Sequence, residues 1–542
     1  MNPAHGPIIE PTTAPRPQPR WSIALAGALC VAASLLGSAL FLPHQSLWND
    51  EASQMSGLSL DPAGQVRWLA GWEKHDFGLA EDRMPPLSYW VGWLWSRAFG
   101  LNEASMRWMG ATLVGLATLI IFETARRAWG APSGVAAALI FALSPNVIVA
   151  AVEIRAYPLF LFTSSATFYC LSRYLDDSSA LSRKWLVAMS MCSILTIYTH
   201  FFGLVLAGGV FLSALLVGRF RAGKTGPVLI AAGCVGLATG GIAPFVLASF
   251  GRSSAAVPAL AEENRISALA RLFYRLFAHA SMSVTPIVIA LAALGIVAAA
   301  LAAIAPKQKS TAVALGLFLA WTAGAIVVAA AQIMLKHFQA ATPHYNLWML
   351  PPLVLLLGSG LGAASKTART LAAAGAALLI ASYAYGDLQL AVHGDFFAHT
   401  PHRAIDTLIQ RLGPDRVSLI LDVNDHSAWD VYAPVHFKYA DIVPQYVFTD
   451  RTAGQTKVAD YPDRKTDYDP AALPTEYLLV VHSVNERSAE IVDQIRQGVK
   501  PLPDGPIAKL LKADPRWNLV EESTHVAFVS AKIALFKRND VK

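Results

Sequence analysis

The chain contains a long series of apolar runs, each about as long as a helix needs to cross a bilayer. A transmembrane helix takes about 20 mostly apolar residues. Only 15% of the 542 residues are charged, against about 25% in a typical soluble domain. The sequence therefore predicts a polytopic α-helical membrane protein with about 11 transmembrane helices, at residues 22–42, 104–125, 133–151, 156–173, 185–199, 202–218, 227–249, 282–304, 311–334, 345–364 and 369–390.

The loops between these runs differ in charge on the two sides of the membrane. If the N-terminus is cytoplasmic, every short inner loop carries at least two basic residues, such as Arg126 and Arg127, which agrees with the positive-inside rule. The net charge of +6 is therefore spread over loops and forms no basic face for nucleic acid. We expect a multi-pass protein of the bacterial inner (plasma) membrane with an odd number of crossings and a periplasmic C-terminus.

The composition divides the chain into three parts. Residues 1–20 are rich in proline and are expected to form a disordered cytoplasmic tail. Residues 21–392 form the transmembrane domain, whose first run is too long for the apolar core of a cleavable signal peptide. Within it, the first periplasmic loop spans 43–102 and contains an amphipathic helix at Pro86–Phe99, whose tryptophans predict a position at the outer leaflet.

Residues 393–542 alternate helical and strand-like runs, which predicts a periplasmic α/β domain. We expect helices at Pro401–Leu412 and Glu486–Val499, a long loop at Asp450–Pro474, and strands at Val417–Val423, Tyr477–His482 and Val526–Phe536. The four cysteines lie in apolar runs without CxxC spacing. They predict neither a disulfide framework nor a thiolate metal site.

Five short polar segments lie on the outer side in this topology, although they come from distant parts of the chain. Each has an ordinary structural explanation when taken alone: a solvated acidic pair, a helix start, a local ion pair or a hydrogen-bonded histidine. Together they place carboxylates, guanidinium groups, imidazoles and tyrosines around one interfacial volume, which predicts an active site. The segments are Leu47–Ala52, Asp82–Trp90, Val152–Leu159, Ile197–Gly203 and Thr342–Asn346.

A carboxylate in such a site can take the proton of an acceptor hydroxyl, and cationic groups can stabilise a departing phosphate. In their order along the chain, the five segments resemble those of the GT-C membrane glycosyltransferases of the protein O-mannosyltransferase and lipid A aminoarabinose-transferase type. The resemblance covers about residues 22–390 and is most specific over 47–160. It implies a GT-C fold and a hexosyl- or pentosyltransferase that takes its sugar from a polyprenyl-phosphate carrier at the periplasmic face.

The resemblance also implies roles for individual residues. The catalytic residues would be Asp50 as the general base, Glu51 as its neighbour that orients it or binds acceptor, and Glu153 as a second acidic residue. Arg155 would contact the carrier phosphate. The further substrate-binding candidates are Arg83, Tyr89, Tyr157, His200, His344 and Tyr345.

This sequence departs from the family pattern at two positions. Met84 stands before the proline pair where relatives often have a Lys or His, and His344 stands where an Arg often precedes the late tyrosine. Both changes concern phosphate binding. Metal use differs among relatives, and no local motif such as HExxH indicates a site here. We therefore expect no metal and no other cofactor, with a divalent metal as the alternative.

Two other functions fit a chain with many spans. A secondary transporter would place ionisable residues near the bilayer midplane, whereas here they gather at one face. A glycan ligase that uses a polyprenyl diphosphate would share the topology but not the acidic pair after the first span. The expected partners are therefore a polyprenyl-phosphate-sugar donor, membrane lipid, and a glycan, lipid or protein acceptor.

Overall fold

A computed structural model defines the fold of most of the chain. It describes residues 20–75, 84–176, 182–222, 225–253, 309–334, 342–362, 366–393, 400–423, 427–439, 445–448, 475–484, 502–525 and 530–539, with the single residues 77, 82, 269, 272, 276, 340 and 494. The predicted tail before Arg20, Arg83, the span 282–304 and the loop 450–474 lie outside these residues. So does the predicted helix Glu486–Val499, apart from residue 494.

Helices make up the described part of the chain up to His393. They are α1 (Arg20–Phe41), α2 (Asn49–Leu58), α3 (Pro62–Leu69), α4 (Leu87–Phe99), α5 (Glu103–Trp129), α6 (Ala131–Ala142), α7 (Pro145–Val152), α8 (Tyr157–Asp176), α9 (Ser182–Thr199), α10 (Gly203–Ala222), α11 (Thr225–Thr239), α12 (Ala243–Ser253), α13 (Lys309–Met334), α14 (Leu350–Ser359) and α15 (Lys366–His393). Short 3-10 turns lie at Leu42–His44, Gly240–Ile242, His344–Met349 and Gly360–Gly362.

Several of these helices have the length and composition of membrane spans. In the described part of the chain there are 6 such helices, or 7 when the bent pair α6–α7 is taken as one span. The chain is therefore a polytopic helical membrane protein, as the sequence predicts. The total of about 11 spans stays a prediction.

The third predicted span, 133–151, is not one continuous helix. Helices α6 and α7 are bent by 59° relative to each other. Pro145 is the first residue of α7, and proline suits a first helical turn but cannot continue a helix that comes before it. The predicted span is therefore formed by a bent pair of helices, and the break brings the end of α7 towards the polar segments.

Helix α5 lies at the centre of the bundle and contacts α1, α4, α6, α7, α8 and α14. Its approach to α7 depends on Gly110, where a Cβ would lie 2.3 Å from the carbonyl oxygen of Ala151. Any larger residue would therefore push the two backbones apart. Because Ala151 is followed directly by residues 152–155, this close approach sets the position of a polar segment.

The C-terminal part contains a five-stranded sheet of order β2-β1-β3-β5-β4. The strands are β1 (Val417–Val423), β2 (Gln445–Phe448), β3 (Tyr477–Val484), β4 (Trp517–His525) and β5 (Ser530–Arg538), and the helices are α16 (His402–Leu412), α17 (Ser427–Tyr439) and α18 (Pro506–Ala513). β2, β1 and β3 pair in parallel, whereas β5 is antiparallel to both β3 and β4. Strand β1 has the predicted bounds.

Helices cover both faces of this sheet. Alternate residues of a strand point to opposite faces, so Leu419 and Leu421 join the core formed with α16 and α17. Ile420 joins the second core, which contains Leu511 of α18. This arrangement is a three-layer α/β/α unit.

Candidate active site

The first turn of α2 carries two adjacent carboxylates that lie in different environments. Glu51 is buried, whereas the side chain of Asp50 is 40% exposed. Residues 50 and 51 are about 100° apart around a helix axis. One carboxylate therefore faces the bundle and the other faces the open side of the site.

Glu51 is held by a buried guanidinium. The Nη1 and Nη2 atoms of Arg107 each donate to one carboxylate oxygen of Glu51 at 2.9 Å, and the Ile154 N–H donates to Oε1 at 2.8 Å. Burial raises the pKa of Glu51, and Arg107 and the Ile154 amide oppose this effect. Glu51 thus fastens α2 to α5 and to the α7–α8 connection. This arrangement favours an orienting role over direct binding of the acceptor.

Asp50 lies beside Arg155. The Asp50 carboxylate is 3.5 Å from Nη2 of Arg155, and Nη1 of Arg155 donates to the Asp50 backbone carbonyl at 3.1 Å. A partly exposed carboxylate can reach an acceptor hydroxyl and accept its proton. Such a group suits the role of general base.

Arg155 also binds a second carboxylate. Its guanidinium donates to both oxygens of Asp82, at 2.7 and 3.2 Å, and the hydroxyl of Tyr89 donates to the same side chain. Burial lowers the pKa of Arg155, but Asp82 and Asp50 outweigh burial and hold it well above its usual value. Arg155 is therefore a permanent buried cation. Within the described residues, its Nε–H has no hydrogen-bond partner.

Six rings form a continuous group next to Arg155, which we name the aromatic cluster. His200 is the centre: it stacks on Phe160 at 4.8 Å between ring centroids and lies 5.6 Å from Tyr345 and 6.0 Å from Tyr157. The cluster consists of Tyr157, Phe160, His200, Phe202, His344 and Tyr345. It contains four of the predicted substrate-binding residues, which come from three separate segments.

The chemistry of His200 follows from its surroundings. Burial and the nearby charge of Arg155 lower the pKa of His200 to about 3, so the ring is neutral at physiological pH. Its Nδ1 accepts a hydrogen bond from the Phe202 N–H at 3.2 Å, which places the ring proton on Nε2. That Nε2–H is buried and has no partner among the described residues. It is a neutral hydrogen-bond donor beside a buried cation.

The remaining predicted site residues are Tyr89, Glu153 and Arg83. Tyr89 is buried and bound to Asp82, so it supports the position of Arg155. Glu153 is buried at the end of α7, where its backbone is extended. Arg83 lies outside the described residues.

Sequence reasoning missed two residues of the site. Arg107 was overlooked although it forms an i, i+4 pattern with Glu103, to which it also donates at 2.9 Å. An arginine near the start of an otherwise apolar span is a signal, because a charge there is costly unless it is paired. Asp82 was seen only as part of a segment, and nothing in its local sequence indicates that it binds Arg155.

Among the described residues, no group of three or more His, Cys, Asp or Glu side chains is arranged to hold a metal ion. Several residues of the first loop that neighbour Asp82 are not described. The expectation that the reaction needs no metal stays a prediction.

The helices and the cluster of charged residues around Arg155 define the class of protein. It is a polytopic membrane protein with a polar site where several helices end. Residues 83–242 match the family model described as dolichyl-phosphate-mannose-protein mannosyltransferase. The match covers less than a third of the chain and includes Arg155, Tyr157 and His200. It confirms the resemblance to GT-C membrane glycosyltransferases inferred from the sequence. No curated protein matches the chain in sequence.

Three solved structures are similar over large parts of the chain. ArnT from Cupriavidus metallidurans in the apo state is 14% identical, with 95% of this chain and 98% of that chain covered and a TM-score of 0.40. The same protein bound to undecaprenyl phosphate is 13% identical over 95% and 98%, with a TM-score of 0.39. The Archaeoglobus fulgidus oligosaccharyltransferase is 13% identical over 83% and 67%, with a TM-score of 0.45.

Proposed function

We propose that the protein is a glycosyltransferase that moves a sugar from a polyprenyl-phosphate carrier to a hydroxyl of an envelope acceptor. The observation that supports this most is the link from the partly exposed Asp50 through Arg155 to the aromatic cluster. The link joins Asp50, the candidate base, to two buried N–H groups, the Nε–H of Arg155 and the Nε2–H of His200. Neither group has a hydrogen-bond partner among the described residues. Arg155 and His200 both lie in the segment that matches the mannosyltransferase model.

The proposed reaction assigns a task to each group. Asp50 takes the proton of the acceptor hydroxyl while the hydroxyl oxygen forms a bond to the anomeric carbon of the sugar. The bond from that carbon to the phosphate oxygen breaks, and the carrier leaves as polyprenyl phosphate with the bonding electrons. Arg155 stabilises the negative charge of the phosphate, together with the Nε2–H of His200. Arg83 is a further candidate for this contact.

The rings of the aromatic cluster provide an apolar surface on which the sugar binds. The polarity of the helix ends supports a periplasmic site in the bacterial inner membrane. Asp50 follows the outer end of α1, whereas the far end of α5 carries Arg126 and Arg127, as expected for the cytoplasmic side. The acceptor is a lipid, a glycan or a protein.

The test is transfer by the purified full chain in nanodiscs. The donor is the pool of polyprenyl-phosphate sugars extracted from membranes of cells that express the protein, and the acceptor is the envelope fraction of a deletion strain. Release of free polyprenyl phosphate is measured by mass spectrometry. Asp50→Asn should lower the rate by about 10²–10⁴-fold, because the amide cannot take a proton.

Asp61→Asn is the matched control. Asp61 lies in the same loop and caps α3 by accepting the Gly64 N–H, a task that asparagine performs equally well. It should transfer sugar at the wild-type rate. A wild-type protein that releases no polyprenyl phosphate from this pool would contradict the proposed function. A fully active Asp50→Asn variant would contradict only the assignment of the base.

A further inference from the structure

The start of α2 is not fixed by its own sequence. Its N-cap residue, Trp48, has no side-chain cap hydrogen bond, although Ser, Thr, Asp and Asn are the residues that usually define a helix start. The position of Asp50, two residues later, must therefore be set by contacts from elsewhere. Glu51 and Arg107 supply one of them from the membrane side.

The α/β unit supplies further contacts. The hydroxyl of Thr400 donates to the Leu47 carbonyl at 2.8 Å, and the Arg403 N–H donates to the Ser46 hydroxyl at 3.2 Å. Thr400, Ser46 and Leu47 are all buried. More than 350 residues separate the two segments along the chain. The hydrogen bonds therefore join the α/β unit directly to the segment that leads into α2.

Helix α17 forms a second connection of the same kind. It packs against α2. Its residues Val431 and Val435 belong to the core under the sheet, whereas Phe437 packs against the core of the helical bundle. Residues 435 and 437 are about 200° apart around a helix. The two faces of α17 thus link the sheet to the helix that carries Asp50.

These contacts point to a task for the α/β unit in the reaction. We propose, as an extension that rests on the proposed function, that this unit positions Asp50. Thr400 is the positioning residue: by holding the Leu47 carbonyl it fixes where α2 begins and how far its first turn lies from Arg155. Thr400 does not touch substrate; it acts through Asp50. A displacement of about 1 Å in a reacting group can reduce the rate about 10²-fold.

The experiment compares three threonine variants of the full chain in the transfer assay. Thr400→Val removes the hydroxyl at constant shape and should lower kcat by about 10–100-fold with an unchanged KM for the donor. Thr400→Ser keeps the donor and should restore most of the rate. Thr407→Val is the matched control, because the Thr407 hydroxyl makes an exposed bond to the Arg403 carbonyl within α16; it should behave as wild type.

A double-mutant cycle separates positioning from general damage. If Thr400 acts through Asp50, then Thr400→Val should cause no further loss in an Asp50→Asn background. An equal loss in both backgrounds, or an unchanged kcat in Thr400→Val, would overturn the proposal. If Thr400→Val does not fold, Ser46→Ala, which removes the acceptor of the Arg403 N–H, should show the same dependence on Asp50, and a loss independent of Asp50 would overturn it.

Hydrogen exchange gives a readout that does not depend on the activity. Exchange over residues 45–58 should be faster in Thr400→Val than in Thr407→Val, while exchange in the sheet stays unchanged. If the wild type transfers no sugar but exchange responds as expected, the proposed function fails and the hold of the α/β unit on α2 stands. If exchange over 45–58 is unchanged, the positioning proposal fails whatever the activity.

Discussion

Arg107 and Glu51 face each other as a buried bidentate pair, with 2.9 Å between each nitrogen and its carboxylate oxygen. Arg107 also donates to the Val152 carbonyl. One guanidinium thereby joins α2, α5 and the end of α7. The positions of Asp50 and Arg155 depend on this junction, because each lies within three residues of one of its members.

We predict that Arg107→Ala destabilises the protein by about 3–5 kcal/mol, since it leaves the Glu51 carboxylate buried without its counter-charge. Thermal unfolding in detergent measures the effect. Arg126→Ala is the control: it removes a partly exposed i, i+3 pair with Glu123 and should cost no more than about 1 kcal/mol. Equal losses in the two variants would mean that the Glu51 pair has no special weight.

A second prediction separates the two partners of Arg155. Arg155→Ala should weaken binding of undecaprenyl phosphate and raise the KM for the donor, and Arg155→Lys should restore binding only in part because it lacks the planar fork. Asp82→Asn removes the competing carboxylate charge but keeps an acceptor for Tyr89. It should bind undecaprenyl phosphate at least as tightly as wild type.

Binding of undecaprenyl phosphate to each protein variant in nanodiscs measures the effects of the Arg155 and Asp82 substitutions. If Asp82→Asn weakens binding as much as Arg155→Ala, the pair serves the structure of the site, and Arg155 is not a phosphate ligand. Unchanged binding in Arg155→Ala would lead to the same conclusion.

The membrane part of the fold could be predicted further than the sheet. A long apolar run indicates a membrane span, because a helix in contact with lipid needs apolar side chains. The predicted run 311–334 falls within α13 (Lys309–Met334). The sequence did not indicate β2 or β4. β4 lies at the edge of the sheet, and its sequence WNLVEESTH is mostly exposed, so it lacks the alternating pattern of a half-buried strand. β2 has only four residues.

The site shows the same division. Asp50 and Arg155 could be selected from their sequence segments, and the structure brings them together. The residues that hold them in place could not be predicted from the sequence. Arg107, Asp82 and Thr400 act through hydrogen bonds to residues 56, 73 and 353 positions away in the chain. Nothing local distinguishes Thr400 from Thr407. Only the fold shows that one is buried against Leu47 and the other is exposed.

A third prediction tests the close approach of α5 and α7. Gly110→Ala would place a methyl group 2.3 Å from the Ala151 carbonyl oxygen, which the backbone can relieve only by moving α7. Such overpacking typically costs about 1–3 kcal/mol, and here it should also reduce transfer because Arg155 moves with α7. Gly208→Ala in α10 is the control, since nothing lies within 4 Å of its added methyl. A stable, fully active Gly110→Ala variant would show that this close approach does not position Arg155.

A fourth prediction concerns topology. A phosphatase reporter fused after Lys542 should be active, because we expect the C-terminus to be periplasmic. A fusion after Arg127, at the basic end of α5, should be inactive and serves as the control. Activity in the second fusion and not the first would reverse the orientation and place the site in the cytoplasm, where the proposed reaction has no basis.

The last prediction is a dependence of stability on pH at the contact between the α/β unit and the bundle. His402 is buried there, and burial, followed by Lys438, lowers its pKa from 6.5 to about 4. The charged groups around it are Lys438 on α17, Asp406 on α16, and Glu103 and Arg107 on α5. Because the folded state keeps the ring neutral, the unfolded state binds more protons between these two pKa values.

The sign of the effect follows from this difference. Stability contributed by neutral His402 is complete above pH 6.5 and is lost as the pH falls towards 4. At pH 5.5 the loss should be on the order of 1 kcal/mol relative to pH 8. Thermal unfolding of wild type and of His402→Gln at pH 8 and pH 5.5 measures it. The variant cannot titrate at this position, so its unfolding temperature should fall less between the two pH values. An equal fall in both proteins would show that His402 does not control this contact.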